Sequence, residues 1–523
     1  MQLKKLIQNY NNFISVFLLG TFSFLINYHY GFIGMMPMDN TVLFNGGYRV
    51  LNGYVPFSDY WLVTGPLLDY LNAIFFKLLG VSWNSFIIHS SLINLALAVT
   101  SYFLFLNLKL SNFLSLFYSA QIAVLFYSVV GTPFVDHHST FFLILAFYTF
   151  IFFINNSNYN LILLIPFFLL LAFLCKQTPS VYGIISLFFL IIFYCLIDKA
   201  NYKKIIRNSI IGSIASIIIL LFFFIITDIK LSNFFQQYIF FASSIGGDRL
   251  SLYDFSLINE ISDYKFIYFF IFLILALLIK FKIKKILNKK SLLIISSSLI
   301  LSLILIFHQM ITLNQNFIFF IIPFLCGIFH SFFNQKILSK YFLYFAILIC
   351  FFAVAKYHIR FNEERKFNEL ERVDISKAVD ASILDNKLKG LKWITYLNPN
   401  NPKAELENLK EVMSILRDEK NQKIIITEYQ VIAPILNIYD NSPNQWHHPS
   451  VSFPLKGNKY FTSYKNFFIE NIKKNEIKFI YETREDDLTI TELILNSECF
   501  YNKKERLNKM LIKLEINYSC KDF

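Results

Sequence analysis

The sequence predicts a polytopic α-helical membrane protein that ends in a small soluble α/β domain. The chain of 523 residues is 55% hydrophobic and only 16% charged, whereas soluble globular chains are about 25% charged. Its apolar residues come in blocks of roughly 18 to 22, the length at which a helix crosses about 30 Å of hydrocarbon. From about residue 357 the composition becomes abruptly more charged. We therefore expect a transmembrane module in residues 1–356 and a separate domain in residues 357–523.

About eleven apolar segments are long enough to be membrane-spanning helices. The first follows Lys4 and Lys5 and has no small-residue cleavage site after it, so it is predicted to be an uncleaved anchor. The linker Cys-Lys-Gln-Thr-Pro at 175–179 fits either an exterior loop or a re-entrant turn. The predicted spans are 13–33, 86–106, 112–130, 139–154, 160–175, 180–197, 209–227, 264–280, 292–307, 317–333 and 340–356.

Cations concentrate in alternate loops, and this sets the predicted orientation. With the N-terminus in the cytoplasm, most loop cations lie inside, as the positive-inside rule requires. The long outside elements are then 34–85, 228–263 and the tail, and long connectors are commonly functional. We expect a multi-pass protein of the cell inner membrane whose working surface and tail are periplasmic. The inside cations are Lys109, Lys199, Lys203, Lys204, Arg207, Lys282, Lys284, Lys285, Lys289, Lys290, Lys336 and Lys340.

The net charge of +13 does not indicate a nucleic-acid partner. Much of it lies in the loops that set topology, and the sequence has no basic patch interleaved with aromatic residues on a soluble module. Nucleic-acid binding is therefore excluded from the expectations.

The first exterior loop, residues 34–85, carries the most informative stretch. Asp39 is predicted to cap a helix over about 40–52, and Gly53 to end it. A second helix starts at Pro66, and its apolar residues keep helical spacing, so we expect it to lie along the membrane interface. Three aromatic residues between the helices suit the headgroup level: Tyr54, Tyr60 and Trp61.

The order of these features resembles the polyprenyl-phosphate-sugar-dependent glycosyltransferases of the GT-C superfamily. That group includes protein O-mannosyltransferases and the lipid A aminoarabinose transferase. The resemblance consists of a first span, an acidic residue, the element Gly53-Tyr-x-Pro-Phe-x-Asp-Tyr60, a Gly-Pro pair and two interfacial helices. It covers roughly residues 10–200. From there to about 356 it rests on the number of spans and the sidedness of the loops, and the tail carries no motif of this family.

The resemblance implies transfer of a sugar from a membrane-embedded polyprenyl phosphate to an envelope acceptor, with inversion at the anomeric carbon. Asp39 matches the position of the catalytic acid and is expected to be the general base, although a plain helix cap is the other interpretation and the two are compatible. Asn40 follows it, where several family members have a second acid. The resemblance also implies that Asp59 and Tyr60 contact the substrate.

The second exterior loop contains Asp136, His137 and His138 at the mouth of a span. The resemblance implies an acidic position that binds metal or phosphate, and carboxylate and imidazole both suit a divalent cation. Asp136 and His137 are the candidate metal ligands and His138 a candidate substrate contact. Adjacent helical side chains point about 100° apart, so at most one histidine is expected to be a direct ligand. The alternative is that Asp136 or Ser139 caps the helix.

Two cations are candidates for the phosphate of the donor. Lys176 lies close to an apolar run, and the resemblance puts it near the phosphate, although a snorkelling lysine at a helix end would look the same. Arg249 follows two glycines and could close over a phosphate, or belong to an ordinary turn with a solvated Asp/Arg pair. His308, Gln309, Asn314 and Gln315 are predicted to form a polar exterior loop that either lines the acceptor side or, as the favoured alternative, is an ordinary short loop.

The tail is predicted to begin with a solvated helix over 356–377. Strands near 423–427 and 478–481 then alternate with helices near 401–419 and 464–474, which indicates a small α/β domain. Its two cysteines, Cys499 and Cys520, can form a disulfide if the tail is periplasmic.

Two other classes of protein fit part of the pattern. A lipid or glycan transporter or flippase would show internal repeats and broken helices, and no clear repeat is present. An O-antigen ligase or polymerase would carry arginine-rich exterior loops, and the exterior arginines here are few. The expected partners are a polyprenyl-phosphate-linked sugar, an envelope acceptor and membrane lipid, with a divalent metal ion as a possible cofactor.

Overall fold

The computed structural model describes residues 2–252, 261–283, 287–312, 317–333, 338–484, 488–495 and 498–520. The described residues group into two compact units, and each unit combines separate stretches of the chain. The first unit consists of Met1–Phe32, Ile87–Phe222 and Arg249–Phe367, and the second of Ile33–Phe86, Phe223–Asp248 and Asn368–Phe523. The segment after the first helix thus belongs to the same unit as most of the tail.

Long apolar helices dominate the chain. In the part that the structure describes, eight helices are long and apolar enough to cross a membrane, which is the architecture of a helical membrane protein. They are Asn11–Gly31, Trp83–Asn107, Asn112–Val129, Val135–Asn156, Gln177–Ile197, Tyr202–Thr227, Lys289–Thr312 and Lys340–Asn368.

The three remaining predicted spans are also helical, but they are not among these eight. They correspond to the helices Leu164–Cys175, Lys265–Ile283 and Ile321–Phe332. The expected count of eleven spans stays a prediction. The break between the predicted spans 160–175 and 180–197 is confirmed, because Lys176 has extended backbone angles between a helix that ends at Cys175 and one that begins at Gln177.

The helix Tyr202–Thr227 illustrates why water is an unsuitable solvent for these elements. From Ile210 onward its exposed side chains are mainly apolar and include Phe222 at 62% and Ile225 at 78% exposure. Large exposed apolar faces of this kind are stable when they contact lipid or another apolar partner.

The second unit contains the predicted α/β fold. Among its described residues, strands β3 (Lys423–Ile426), β4 (Phe479–Thr483), β5 (Tyr501–Arg506) and β6 (Leu511–Ile516) form a sheet in the order β3-β4-β6-β5. β3 and β4 are parallel and the other pairs antiparallel. A two-stranded sheet joins β1 (Val379–Asp380) and β2 (Lys392–Trp393). The helices flanking the large sheet include Pro402–Asp418 and Phe461–Lys474.

The sequence-based expectation for the strands at 423–427 and 478–481 and for both helices is confirmed. The core of this fold is the alternating buried face of β3, β4 and β6, on which the second helix packs. Its members are Ile424, Ile426, Ile480, Ile512, Leu514, Tyr464, Phe468 and Ile472. The hairpin of β5 and β6 was not predicted, since β5 is polar or charged after Tyr501 and the apolar pattern is confined to the six residues of β6.

The prediction of a solvated helix over 356–377 is wrong beyond the first turns of that segment. The helix Lys340–His358 continues as the π-helical turn Ile359–Glu363 and then ends. Arg365 has a left-handed backbone conformation (φ 48°) and is fully buried. Its guanidinium donates to the carbonyl oxygens of Ser128, Val129 and Val130 at 3.0–3.3 Å, so this part of the charged run is folded into the first unit.

The described residues also contain a disulfide and several shorter helices. The predicted disulfide is confirmed, because Cys499 and Cys520 are bonded and their Cα atoms lie 5.4 Å apart. The other helices are Val42–Leu51, Leu67–Leu79, Leu231–Phe234, Ala242–Leu252, Ile432–Leu436 and Ile490–Leu495, and the other π-helical turns are Pro37–Thr41 and Phe235–Phe241.

Candidate functional site

Asp39 lies in a π-helical turn, Pro37–Thr41, shortly after the first long helix. The prediction that Asp39 caps a helix is wrong, because the N-cap residue is Met36. The side-chain oxygen of Asn40, not of Asp39, accepts a hydrogen bond from the Met36 amide at 2.8 Å. The side chain of Asp39 is partly exposed. π-Helical turns are rare and occur often at functional sites, so the local geometry draws attention to this carboxylate. The helix that follows ends at Leu51, and Gly53 (φ 87°) comes after it as predicted.

Thr41 fixes this turn to the loop that follows β3. Its hydroxyl lies 2.8 Å from the carbonyl oxygen of Glu428 and accepts from the amide of Gln430 at 2.9 Å. Asn45, one turn further along, donates to the Gln430 side chain at 3.1 Å. These buried contacts join residues almost 400 positions apart, so the turn that carries Asp39 and the carboxyl end of β3 form one rigid structure.

A cavity of about 520 Å³ opens beside this structure, and all its lining residues belong to the second unit. Met38 and Val42 contribute to one wall. Another wall is formed where the parallel strands β3 and β4 end, which is the edge at which open α/β sheets bind ligands. The polar side chains there are Thr427, Glu428, Gln430, Thr483 and Arg484, and the loop after the helix Ile432–Leu436 adds His447 and His448.

The electrostatics of the cavity centre on Glu428. Burial raises the pKa of its carboxyl group, and the hydrogen bond from Tyr396 and the nearby Arg484 and His448 side chains act in the opposite direction. The hydroxyl of Tyr396 lies 3.4 Å from Glu428 Oε2. Burial, followed by the negative charges of Glu428, Glu369 and Asp39, raises the pKa of Tyr396. Asp39 and Glu428 therefore act on the same phenol, although Asp39 does not itself line the cavity.

A buried polar network supports the segment 33–86. Arg49 is 1% exposed and forms an ion pair of 2.6 Å with Asp440. Tyr60 is fully buried, and its hydroxyl donates to Asp69 at 2.8 Å. The amide of Gln445 donates to the same carboxylate at 2.9 Å. This segment is thus bonded to the loop that follows the helix Ile432–Leu436 of the tail.

These contacts change the interpretation of the aromatic residues. Tyr60 and Trp61 are 0% and 2% exposed, so both are packed inside the second unit and do not face lipid headgroups; their depth relative to the membrane stays a prediction. The expected contact of Tyr60 with a substrate stays a prediction. Asp59 pairs with Lys474 at 2.7 Å and accepts from the amide of Val55 at 2.8 Å, and its expected substrate contact is likewise untested.

The first unit contains a separate buried cluster around Asp136. Oδ1 of Asp136 accepts from Lys176 Nζ at 2.6 Å and from His308 Nε2 at 2.8 Å. Asp136 and His308 are almost completely buried, whereas the Lys176 side chain is 14% exposed. The helix-cap interpretation of Asp136 and Ser139 is wrong, because the helix begins at Val135 and its N-cap, Phe134, has no side-chain cap.

His308 was expected in an ordinary loop, and that expectation is wrong. His308 and Gln309 lie near the end of the helix Lys289–Thr312 and are buried. Asn314 and Gln315 lie outside the described residues. The side chain of Arg249 is also outside the described part of the structure; its backbone belongs to the helix Ala242–Leu252.

The histidines beside Asp136 do not form a metal site. His138 lies between the hydroxyl of Tyr127 and His89, with 3.0 Å between the two Nε2 atoms. His137 packs against Phe317, with ring centroids 4.2 Å apart. Among the described residues no group of three or more His, Cys, Asp or Glu side chains could hold a metal ion. Since the ammonium of Lys176 already occupies the Asp136 carboxylate, the metal expected at Asp136 and His137 does not fit.

Sequence reasoning did not single out Glu428, and it placed His308 in a loop instead of in the buried cluster. Glu428 comes two residues after the buried run Ile424–Ile426, and a polar residue at the carboxyl end of a buried strand is a usable signal in an α/β domain. His308 ends an apolar run, and an ionisable residue at such a position is a functional candidate by default. No protein-family model matches this sequence, and comparison with curated proteins finds no significant match.

Proposed function

We propose that the protein is a membrane glycosyltransferase that moves a sugar from a polyprenyl-phosphate donor to a hydroxyl or amine of an envelope acceptor. The observation that carries the proposal is the setting of Asp39. This carboxylate follows the first apolar helix, is partly exposed in a π-helical turn, and is the neighbour of Met38 in the wall of a polar cavity. The resemblance of residues 10–200 to the GT-C superfamily supports the same function.

The proposed reaction inverts the anomeric carbon. The acceptor oxygen or nitrogen bonds to that carbon while the bond from the carbon to the phosphate oxygen breaks. The electron pair of the broken bond leaves with the polyprenyl phosphate, and the proton of the acceptor goes to the carboxylate of Asp39.

The departing phosphate requires positive charge, and we assign this role to Lys176 and Arg249. The ammonium of Lys176 is oriented by Asp136, which His308 fixes in turn. Asp136 and His308 are therefore positioning residues in this proposal. The protein would reside in the cell inner membrane with Asp39 and the tail on the periplasmic side, where lipid-linked sugars and envelope acceptors meet.

The test is transfer from radiolabelled polyprenyl-phosphate sugars by the purified full-length protein. We expect Asp39→Asn to lower the rate about 10²- to 10⁴-fold, the usual contribution of a general base, without weakening donor binding. The matched control is Glu407→Gln, which removes an exposed carboxylate from the helix Pro402–Asp418 and should retain full activity. Equal rates for wild type and Asp39→Asn would remove Asp39 as the base.

A transporter or flippase is the second candidate, and one observation favours it. Charged groups buried among apolar helices, as Asp136, Lys176 and His308 are, commonly mark substrate or ion pathways. Absence of turnover with every donor, together with protein-dependent movement of a labelled donor across proteoliposome membranes, would support transport and contradict the transferase.

A further inference from the structure

The proposed chemistry does not use the 520 Å³ cavity at the ends of β3 and β4. Its volume lies within the range of about 300–1,000 Å³ that is usual for small-molecule sites. Its walls are mixed: Met38, Val42 and Ile426 are apolar, whereas Glu428 and Arg484 are charged. A ligand with both apolar and hydrogen-bonding surfaces fits such walls.

The charges of the cavity narrow the class of ligand. Glu428 and Arg484 have opposite charges, so together they do not favour a polyanion such as a nucleotide or a phosphorylated lipid. A carboxylate accepts hydrogen bonds from hydroxyl groups and a guanidinium donates to them. The hydroxyls of Thr427, which directly follows β3, and of Thr483, at the end of β4, lie 2.6 Å apart in the same wall. Neutral, hydroxyl-rich molecules match this set of groups.

Hydrogen bonds hold the walls of the cavity in place. Glu428 and Gln430 are bonded through Thr41 to the turn that carries Asp39, and the Gln430 side chain also donates to the carbonyl oxygen of Gln445 at 2.6 Å. A preformed wall does not have to be ordered when the ligand binds, which lowers the cost of binding.

We propose that this cavity binds a neutral saccharide, with Glu428 accepting from and Arg484 donating to its hydroxyl groups while the apolar wall contacts its C–H faces. We also propose that this saccharide is the acceptor to which the sugar is transferred. This role rests on the proposed transferase function, whereas the binding of a saccharide does not. The rigid connection between the cavity and the turn of Asp39 favours an acceptor over an unrelated ligand.

The experiment is binding of the purified, detergent-solubilised full-length protein to an array of defined neutral and acidic oligosaccharides. The wild type should retain at least one neutral oligosaccharide. Glu428→Gln and Arg484→Gln should each weaken that binding about tenfold or more, because each removes a charge-assisted hydrogen bond. The matched control is Glu470→Gln, which changes an exposed residue of the helix Phe461–Lys474 and should bind as the wild type does.

Thermal unfolding of each variant separates loss of the site from loss of the fold. Absence of binding by the wild type, binding of acidic glycans alone, or unchanged binding by both cavity variants when folded would overturn the saccharide site.

The acceptor role has a second readout, which is release of the donor sugar to water in the absence of acceptor. Donor hydrolysis that persists in Glu428→Gln while transfer is lost supports the acceptor role, and transfer at the wild-type rate contradicts it. If no donor is turned over by any variant but the array still shows cavity-dependent binding, the transferase fails and the saccharide site stands.

Discussion

Each compact unit contains a carboxyl group shielded from solvent, but Asp136 is fully buried whereas Glu428 is partly exposed, and their surroundings differ. In the first unit Asp136 is enclosed, with an ammonium and an imidazole within 2.8 Å of one oxygen. In the second unit Glu428 lines open space, and its side chain has a single long contact of 3.4 Å to a tyrosine hydroxyl. A satisfied charge stabilises and orients its neighbours, whereas a charge beside empty space is available to a ligand. The two carboxyl groups should therefore respond differently to substitution.

Removal of the Asp136 side chain is expected to have the largest effect. Asp136→Ala leaves the ammonium of Lys176 buried without its counter-charge, and breaking a buried pair in this way costs about 3–5 kcal/mol. We expect a large decrease in the apparent melting temperature of the detergent-solubilised protein.

The double variant Asp136→Leu with Lys176→Met is the control for that effect. Replacement of both charges by apolar groups of similar size should restore most of the lost stability. A single Asp136→Ala variant as stable as the wild type would mean that the charges are solvated, and the contrast with Glu428 would fail.

The second prediction concerns pH and the buried network of the segment 33–86. Burial raises the pKa of Asp69 from 3.8 to about 7, more than the hydrogen bonds from Tyr60 and Gln445 lower it. Between about pH 4 and pH 7 the folded protein therefore retains a proton that the unfolded chain has lost. Stability is greatest at the acid end of this window and falls as the pH rises, by up to about 1.4 kcal/mol per pH unit. Burial also raises the pKa of Glu428 and of Glu482, and both act in the same direction.

The free energy of unfolding, measured from pH 4.5 to pH 8, tests whether stability falls as the pH rises. Asp69→Asn should flatten part of the slope, because the amide stays neutral and can still accept from Tyr60. Asp380→Asn, a change at an exposed residue of the same unit, should keep the slope of the wild type. A slope that is unchanged in Asp69→Asn would show that this carboxyl group does not hold its proton in the folded state.

The same two regions show which features could be predicted from the sequence. Apolar runs are local, so the helices and the buried strand at 424–426 were predicted close to where they lie. Pairing is not local: Asp136 is 40 positions from Lys176 and 172 from His308, and no spacing rule connects them. Both capping interpretations failed by a similar small error. Asp39 and Asp136 lie within the first turn of a helical segment instead of before it, and boundary residues are the least certain part of such predictions.

The position of Asp39 was predictable, but its neighbourhood was not. The turn is connected to Glu428 across 387 positions, and that contact depends on how the tail folds. The tail has no motif of the family that residues 10–200 resemble. Sequence reasoning therefore identified one carboxylate and missed the cavity beside it.

The smallest effect on stability is expected at Glu428. Glu428→Gln replaces a carboxyl group whose pKa is raised by burial with a neutral amide of nearly the same shape. The folded protein already disfavours the charged form, so the substitution should change the free energy of unfolding by less than about 1 kcal/mol and in the stabilising direction above neutral pH. Denaturant unfolding at pH 8 measures this change.

Asp136→Asn is the comparison variant under the same conditions. It makes the same chemical change but removes the negative charge that Lys176 requires, so it should be clearly destabilising. If both amide variants lost equal stability, the carboxyl group of Glu428 would be a structural element like that of Asp136, and the cavity would have no charge available for a ligand.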